Sequence, residues 1–282
     1  MTALFDWLKG WLPTPTQEPP SNRGAQTEGK ERHSQNPLLV IGSNGQTRKP
    51  ILPSGTRVYV VGDIHGQLEN LQNVLGKIKA DIRSRPIQDI STVFVGDYID
   101  RGLASQAVID TIINESEIGS KITLKGNHEE LMLAALGDAE NMKDWCAVGG
   151  IQTAFSYGVD VQDLMVGRGY EAAQKSLVSA VPSGHLDWLR GLLSRYEIGD
   201  FFFCHAGIDP DRPIGAQVEA DLLWIRRKFT NDERTYSKII VHGHSPVEQV
   251  DVRHNRVNVD TGAFFTGNLA CVALEAGAIS LI

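Results

Sequence analysis

From about residue 57 onward, short apolar runs of two different periods alternate along the chain. Residues 57–62 are β-branched and read as a strand, while residues 67–82 repeat Leu68, Leu71, Leu75, Ile78 and Ile82 at helical spacing. A βα unit results, and it recurs. Residues 91–96 form a second strand, residues 105–115 a helix with Val108, Ile109, Ile112 and Ile113 inward, and residues 121–125 a third strand. Such alternation implies parallel pairing through right-handed crossovers.

Between residues 130 and 194 the pattern turns helical and less regular, which reads as a helical insertion. Within it, Pro182 and Ser183 start a helix carrying Leu186, Leu189 and Leu193. Strands then return. Residues 195–198 and 201–205 flank Gly199-Asp200 as a hairpin, residues 238–241 and 256–259 are further strands, and residues 269–274 pair with 278–282 across Ala276-Gly277. The expected fold class is α/β, with a βαβ-rich half and a strand-rich half facing each other as two sheets.

The amino-terminal part has no such period. Residues 13–49 are rich in Pro, Gln, Ser, Asn and Gly, which predicts a disordered tail over 1–50 and a catalytic domain over 51–282. Leu4, Leu8, Trp11 and Leu12 place an apolar face on residues 1–12. That segment could make a weak contact with a partner or a membrane surface, but Asp6 and Lys9 cancel, so nothing draws it to anionic lipid.

Composition changes the picture only at the edges. With 282 residues and 41% apolar content, the chain can bury one full core. Its longest apolar runs fall well short of the roughly 20 residues that span a bilayer, which argues against stable membrane insertion, and no export signal is evident. Three scattered cysteines, Cys146, Cys204 and Cys271, fit neither a disulfide framework nor a zinc knuckle, so a cytoplasmic location is the simplest expectation. The net charge of −7 argues against nonspecific nucleic-acid binding.

Candidate chemistry falls just after the strands. Asp63 and His65, two apart on extended backbone, can face one side and grip one ion. Asp97 ends the next strand, where a carboxylate can bridge two cations. Asn127 offers a neutral carbonyl oxygen, and His128 beside it should point elsewhere, as a proton donor. His205 and His244 each follow an apolar strand. Taken singly, each of these is a turn or core residue as readily as a ligand; five such clusters in order within an α/β frame point to a two-metal phosphoesterase.

These clusters, Gly62-Asp63-Ile64-His65-Gly66, Gly96-Asp97-Tyr98-Ile99-Asp100-Arg101-Gly102, Gly126-Asn127-His128-Glu129, His205-Ala206 and Gly243-His244, resemble the phosphoprotein phosphatase branch of the calcineurin-like metallophosphoesterases. Leu222-Leu223-Trp224-Ile225-Arg226 and the stretch from Val259-Asp260-Thr261-Gly262 to Leu269 are similar to its bacterial and bacteriophage-lambda type serine/threonine protein phosphatases. The resemblance implies a four-layer β-sandwich flanked by helices and a dinuclear site for two divalent ions, with manganese the first expectation and iron and zinc also suited. It implies that Asp63, His65 and Asp97 hold one ion and Asp97, Asn127, His205 and His244 the other. Arg101 and Arg226 would bind phosphate oxygens, and Asp100 would orient His128. The implied activity is dephosphorylation of phosphoserine, phosphothreonine and phosphotyrosine in proteins, by direct attack of a metal-bridging hydroxide. The alternatives are a symmetrical diadenosine tetraphosphatase, which shares these clusters, and a non-catalytic binding module on the same fold. His242 is read as lying behind the ligands.

Overall fold

The computed structural model describes residues 37–282. Two five-stranded sheets dominate it. One has the order β12-β11-β3-β4-β5 and the other β6-β7-β8-β10-β9. In the first, β3 (Thr56–Val61), β4 (Asp89–Phe94) and β5 (Ser120–Thr123) run parallel, and β11 (Cys271–Glu275) and β12 (Ala278–Leu281) close the far edge antiparallel. In the second, β7 (Phe201–Cys204), β8 (Ile239–His242) and β10 (Arg256–Asn258) run parallel, with β6 (Arg195–Ile198) and β9 (Asp251–Val252) antiparallel at the edges.

Period-2 alternation assigns each strand residue to a layer. Val58, Val60, Phe201, Phe203 and Val241 fill the space between the sheets. On the outside, Tyr59 and Val61 meet the helices Leu68–Ser84 and Ser105–Asn114, whereas Phe202, Cys204 and Ile240 cover the opposite side with Leu222 and Phe229. The result is helices, sheet, sheet, helices, as expected. Cys146, Cys204 and Cys271 are buried free thiols. No helix among the described residues is long and apolar enough to cross a membrane.

Two expectations need correction. Leu193 does not continue the apolar face of the helix Ser183–Arg190; it is 48% exposed, and its backbone instead extends β5 by bonding Thr123 and Lys125. Helical spacing in the side chains hid a backbone that had already left the helix. The second correction concerns the domain boundary.

Residues 37–50 belong to the folded body. Val40–Ile41 (β1) pairs with Thr47–Arg48 (β2), Leu38 and Val40 are buried, and the N–H groups of Leu39 and Ile41 donate to the carbonyls of His254 and Tyr236. Arg48 pairs with Asp200 through Nη2 and Oδ1 at 2.9 Å. Those partners lie more than 150 residues away in sequence, so local composition could not show them. Residues 1–36, including the apolar start at 1–12, lie outside the described residues.

A graded truncation tests this boundary. Removing residues 1–36 should leave small-ester turnover within about threefold of the full chain, since no motif residue lies there. Removing residues 1–50 strips two buried aliphatic side chains, at about 1.5–3 kcal/mol each. For a domain of this size that should lower the melting temperature by roughly 6–12 °C or more. Equal melting temperatures for the two truncations would show that the β1–β2 segment contributes nothing.

Candidate metal centre

Every predicted ligand sits at the carboxyl end of a parallel strand, and the two sheets turn those ends toward one another. Asp63 and His65 follow β3, Asp97 follows β4, His205 follows β7, His244 follows β8, and Asn127 opens the helix Asn127–Gly137 after β5. Only glycine permits the closest approaches. A Cβ on Gly243 would lie 2.0 Å from Asp63 Oδ1, and one on Gly126 would lie 2.1 Å from Asp97 Oδ1.

The turns are conformationally expensive. Six non-glycine residues among those described take positive φ, and five of them are His65, Asp97, Asp100, Arg101 and His244. Left-handed backbone at such side chains persists only where surrounding bonds enforce it, and it concentrates at functional sites. One enforcing group is Glu129. Its buried carboxylate accepts the N–H groups of Asp97 at 2.9 Å, Tyr98 at 2.8 Å and Gly126 at 2.9 Å, tying two of the motif loops together.

Two imidazoles are aimed by their far nitrogens. His65 donates from Nδ1 to the Ile99 carbonyl, and His205 donates from Nδ1 to the Val95 carbonyl, each at 2.9 Å. Burial lowers the pKa of both rings, so both are neutral and their Nε2 atoms carry lone pairs. His205 Nε2 lies 2.9 Å from Asn127 Oδ1, 3.4 Å from Asp97 Oδ1 and 3.1 Å from His244 Nδ1, and His65 Nε2 lies 3.5 Å from Asp97 Oδ2. Convergence of imidazole nitrogens with carboxylate and amide oxygens at these distances fits a cation at their centre.

The remaining donors agree. Asp63 Oδ2 accepts the backbone N–H of His244 at 3.0 Å, while Asp63 Oδ1 and His244 Nε2 are buried without a hydrogen-bond partner. Burial first, then the negative charges of Asp260 and Asp97, push the Asp63 carboxyl well above its ordinary range. Burial works the same way on Asp97, but the attraction of His205 and the other imidazoles whenever they carry a proton prevails and holds it below the usual carboxylate range. The ligand atoms of His65, Asp97 and His128 lie within 4.8 Å of one another, and so do those of Asp97, His205 and His244. Asp97 is common to both groups.

Around this centre His128 donates from Nδ1 to Asp100 at 2.7 Å, and Arg101 Nη2 lies 3.1 Å from His128 Nε2. The Arg101 guanidinium rests over the Phe264 ring at 4.6 Å. Arg226 is exposed, immediately before the short helix Arg227–Thr230, and its charge adds a little to the burial that lowers the pKa of His205 and His244. His242 is buried behind the ligands, edge-on to Phe229.

The geometry can be set beside known proteins. The profile of the calcineurin-like phosphoesterases matches residues 56–272, which spans the second sheet, the parallel strands of the first and every ligand position. The chain belongs to that family. Among its relatives is the "Bis(5'-nucleosyl)-tetraphosphatase PrpE [asymmetrical]" of Anoxybacillus flavithermus, 25% identical over 235 residues that cover 76% of this chain and 88% of the relative. Two solved structures share the fold at 18% identity. A candidate diadenosine tetraphosphatase aligns with a TM-score of 0.54 over 83% of this chain and 98% of its own, and a cold-active protein tyrosine phosphatase with 0.52 over 86% and 88%.

As a calcineurin-like phosphoesterase, the protein carries a hydrolase fold that works with divalent metals. Two residues of its site escaped the sequence reading as contributors to geometry. Glu129 follows Gly126 by three positions, the spacing at which a carboxylate reaches back to a helix start, and that spacing could have flagged it. Asp260 is buried beside Asp63, and burial raises its carboxyl to about 6. Nothing local in Asp260-Thr261-Gly262 signals that neighbour.

Proposed function

We propose that this metallophosphoesterase is a two-metal protein phosphatase that hydrolyses phosphoserine, phosphothreonine and phosphotyrosine monoesters, with manganese as the favoured ion. Asp63, His65 and Asp97 would hold one ion, and Asp97, Asn127, His205 and His244 the other. When bound, the ions supply the positive charge that neutralises a phosphoryl group and make water a better nucleophile.

The observation that carries the reading is the Asp100–His128 pair beside the ligand cluster. A serine or threonine alkoxide is a poor leaving group and needs a proton as the ester P–O bond breaks; a nucleotide phosphate leaves without one. His128 Nε2 is the atom that would give it. Arg101 covers that nitrogen with Nη2, and a bound phosphate would draw the guanidinium onto its own oxygens as a planar fork, leaving Nε2 free to carry a proton to the departing oxygen. Asp100 fixes the ring from behind throughout.

Arg226 is the second phosphate ligand in this reading. Its neighbour Lys228 cannot replace it, being paired with Asp209 at 2.5 Å and Asp211 at 3.2 Å. Loss of a charged hydrogen bond costs about 1.5–3 kcal/mol, so Arg226→Ala should lower kcat/KM by roughly 10- to 100-fold with metal content unchanged. Unchanged kinetics would make Arg226 an ordinary surface arginine.

The relatives favour a second reading, hydrolysis of dinucleoside tetraphosphates. The Asp100–His128 pair, which an alkyl leaving group needs and a nucleotide phosphate does not, weighs on the side of the protein phosphatases. A turnover comparison with Mn²⁺ of phosphopeptides, a phosphodiester and diadenosine tetraphosphate separates the two. Phosphopeptide kcat/KM should exceed that for the nucleotide, and the reverse order would replace the first reading with the second.

A further inference from the structure

Asp100 and Arg101 are consecutive non-glycine residues at φ 71° and 66°. What holds them comes from the helical insertion, which the ligand chemistry does not otherwise need. Thr153, in the helix Ile151–Ser156, lies with Oγ1 2.6 Å from Asp100 Oδ1, 2.8 Å from the Asp100 backbone nitrogen and 2.9 Å from Ser105 Oγ. One proton settles the directions. The carboxylate can only accept, so the Thr153 hydroxyl donates to it and accepts both the Asp100 N–H and the Ser105 hydroxyl proton.

Trp145, the last residue of the helix Met142–Trp145, directs its indole N–H at the same carboxylate, 3.2 Å from Oδ1 and 3.0 Å from Oδ2. Gly149 then accepts the Arg101 N–H at 3.1 Å. Asp100, Trp145 and Thr153 are all fully buried. The carboxylate that receives His128 Nδ1–H is therefore also held by two side chains eight positions apart in the insertion, and the backbone N–H of Asp100 is tied to one of them.

We propose that Trp145 and Thr153 are positioning residues for proton donation: they fix the Asp100 carboxylate, and through it the His128 ring, so that Nε2 meets the departing oxygen. This rests on His128 being the general acid. Neither residue belongs to the two groups of candidate metal ligands. If they merely satisfied a buried carboxylate, their loss would lower stability and slow every substrate alike. If they position the acid, the loss falls on substrates that need the proton.

The test uses the full chain with Mn²⁺ and a series of phosphomonoesters running from a phosphoserine peptide to p-nitrophenyl phosphate. Trp145→Phe removes the indole N–H and keeps an aromatic ring; Thr153→Val removes the hydroxyl at nearly constant volume. Both should lose about 10-fold or more in kcat/KM on the alkyl ester and less than about threefold on the aryl ester, against a general acid's full worth of 10²–10⁴. Metal content should stay at the wild-type value, and Thr153→Ser, which restores the hydroxyl, should restore the alkyl rate. Equal losses across the series, or none, would overturn the proposal. Should Thr153→Val fail to fold, Trp145→Phe decides by the same criterion. His128→Asn run alongside separates the two levels. A steeper leaving-group dependence in His128→Asn without one in Trp145→Phe or Thr153→Val would sink only the positioning role, whereas none in His128→Asn would sink the acid assignment with it.

Discussion

Asp97→Asn is expected to abolish phosphoesterase turnover and to leave fewer than two metal ions per chain. The substitution keeps the shape of the side chain and removes its charge at the one position shared by both donor groups. Asp97 lies 3.5 Å from His65 Nε2 and 3.4 Å from His205 Nε2, so a neutral amide there weakens both sites together. Charge stabilisation by a bound dication is worth several kcal/mol, and about 1.4 kcal/mol is tenfold in rate, so the loss in kcat/KM should be about 10³-fold or more. Thermal stability should report the same loss: the upward shift in melting temperature that saturating Mn²⁺ gives the wild type should shrink in Asp97→Asn. Two ions per chain with near-normal turnover would show that Asp97 does not bridge.

The same electrostatics explain why the centre was legible from sequence. A dinuclear site needs specific side-chain types, and it needs backbone close enough to those side chains that only glycine fits, so Gly243-His244 and Gly126-Asn127 both carry ligand and spacing in adjacent letters. Strand-end placement added the rest, because parallel strands deliver their carboxyl ends to one edge. The two sheets were legible for a different reason: residues 57–62 and 201–205 are short, nearly continuous apolar runs, the mark of strands buried on both faces.

What stayed hidden depends on partners far away in sequence. The hairpin of Val40–Ile41 with Thr47–Arg48 is very short and lies in a mostly polar stretch of sequence, and it is ordered by the carbonyls of Tyr236 and His254 and by Asp200. Leu193 carries a helical period but a strand's hydrogen bonds. Trp145 and Thr153 read as core residues of a helical insertion, and their polar atoms acquire meaning only when that insertion docks on Asp100. The strained turns at Asp100 and Arg101 are the converse case, since sequence shows the residues but not the left-handed backbone that aims them. Motif residues can thus be read where chemistry constrains the letter, whereas the groups that orient them are fixed by packing that many sequences could satisfy.

His128→Asn is the substitution that separates proton donation from metal binding. Its Nε2 lies 3.8 Å from Asp97 Oδ2, and its ligand atoms fall within reach of His65 and Asp97, so geometry alone allows a third-ligand role. The partners argue otherwise: Nδ1 is committed to Asp100 at 2.7 Å and Nε2 is covered by Arg101 at 3.1 Å. Burial disfavours a charged ring here, but the negative charge of Asp97 and the bond to Asp100 outweigh it and raise the His128 pKa above its ordinary value. In the metal-free protein the ring should therefore keep its proton above pH of about 6.5, where an ordinary histidine is half deprotonated, and an NMR titration of the His128 ring checks this. Two bound dications would neutralise Asp97 and remove that attraction, so in the loaded enzyme His128→Asn is read by leaving group and not by pH. The remaining rate on the alkyl ester should be lower by about 10²- to 10⁴-fold, with a smaller loss on p-nitrophenyl phosphate, because the aryl oxide leaves without a proton. Metal content should equal that of wild type. A drop from two ions to one would make His128 a ligand, and equal losses on both esters with both ions in place would leave it a residue that positions phosphate and donates nothing.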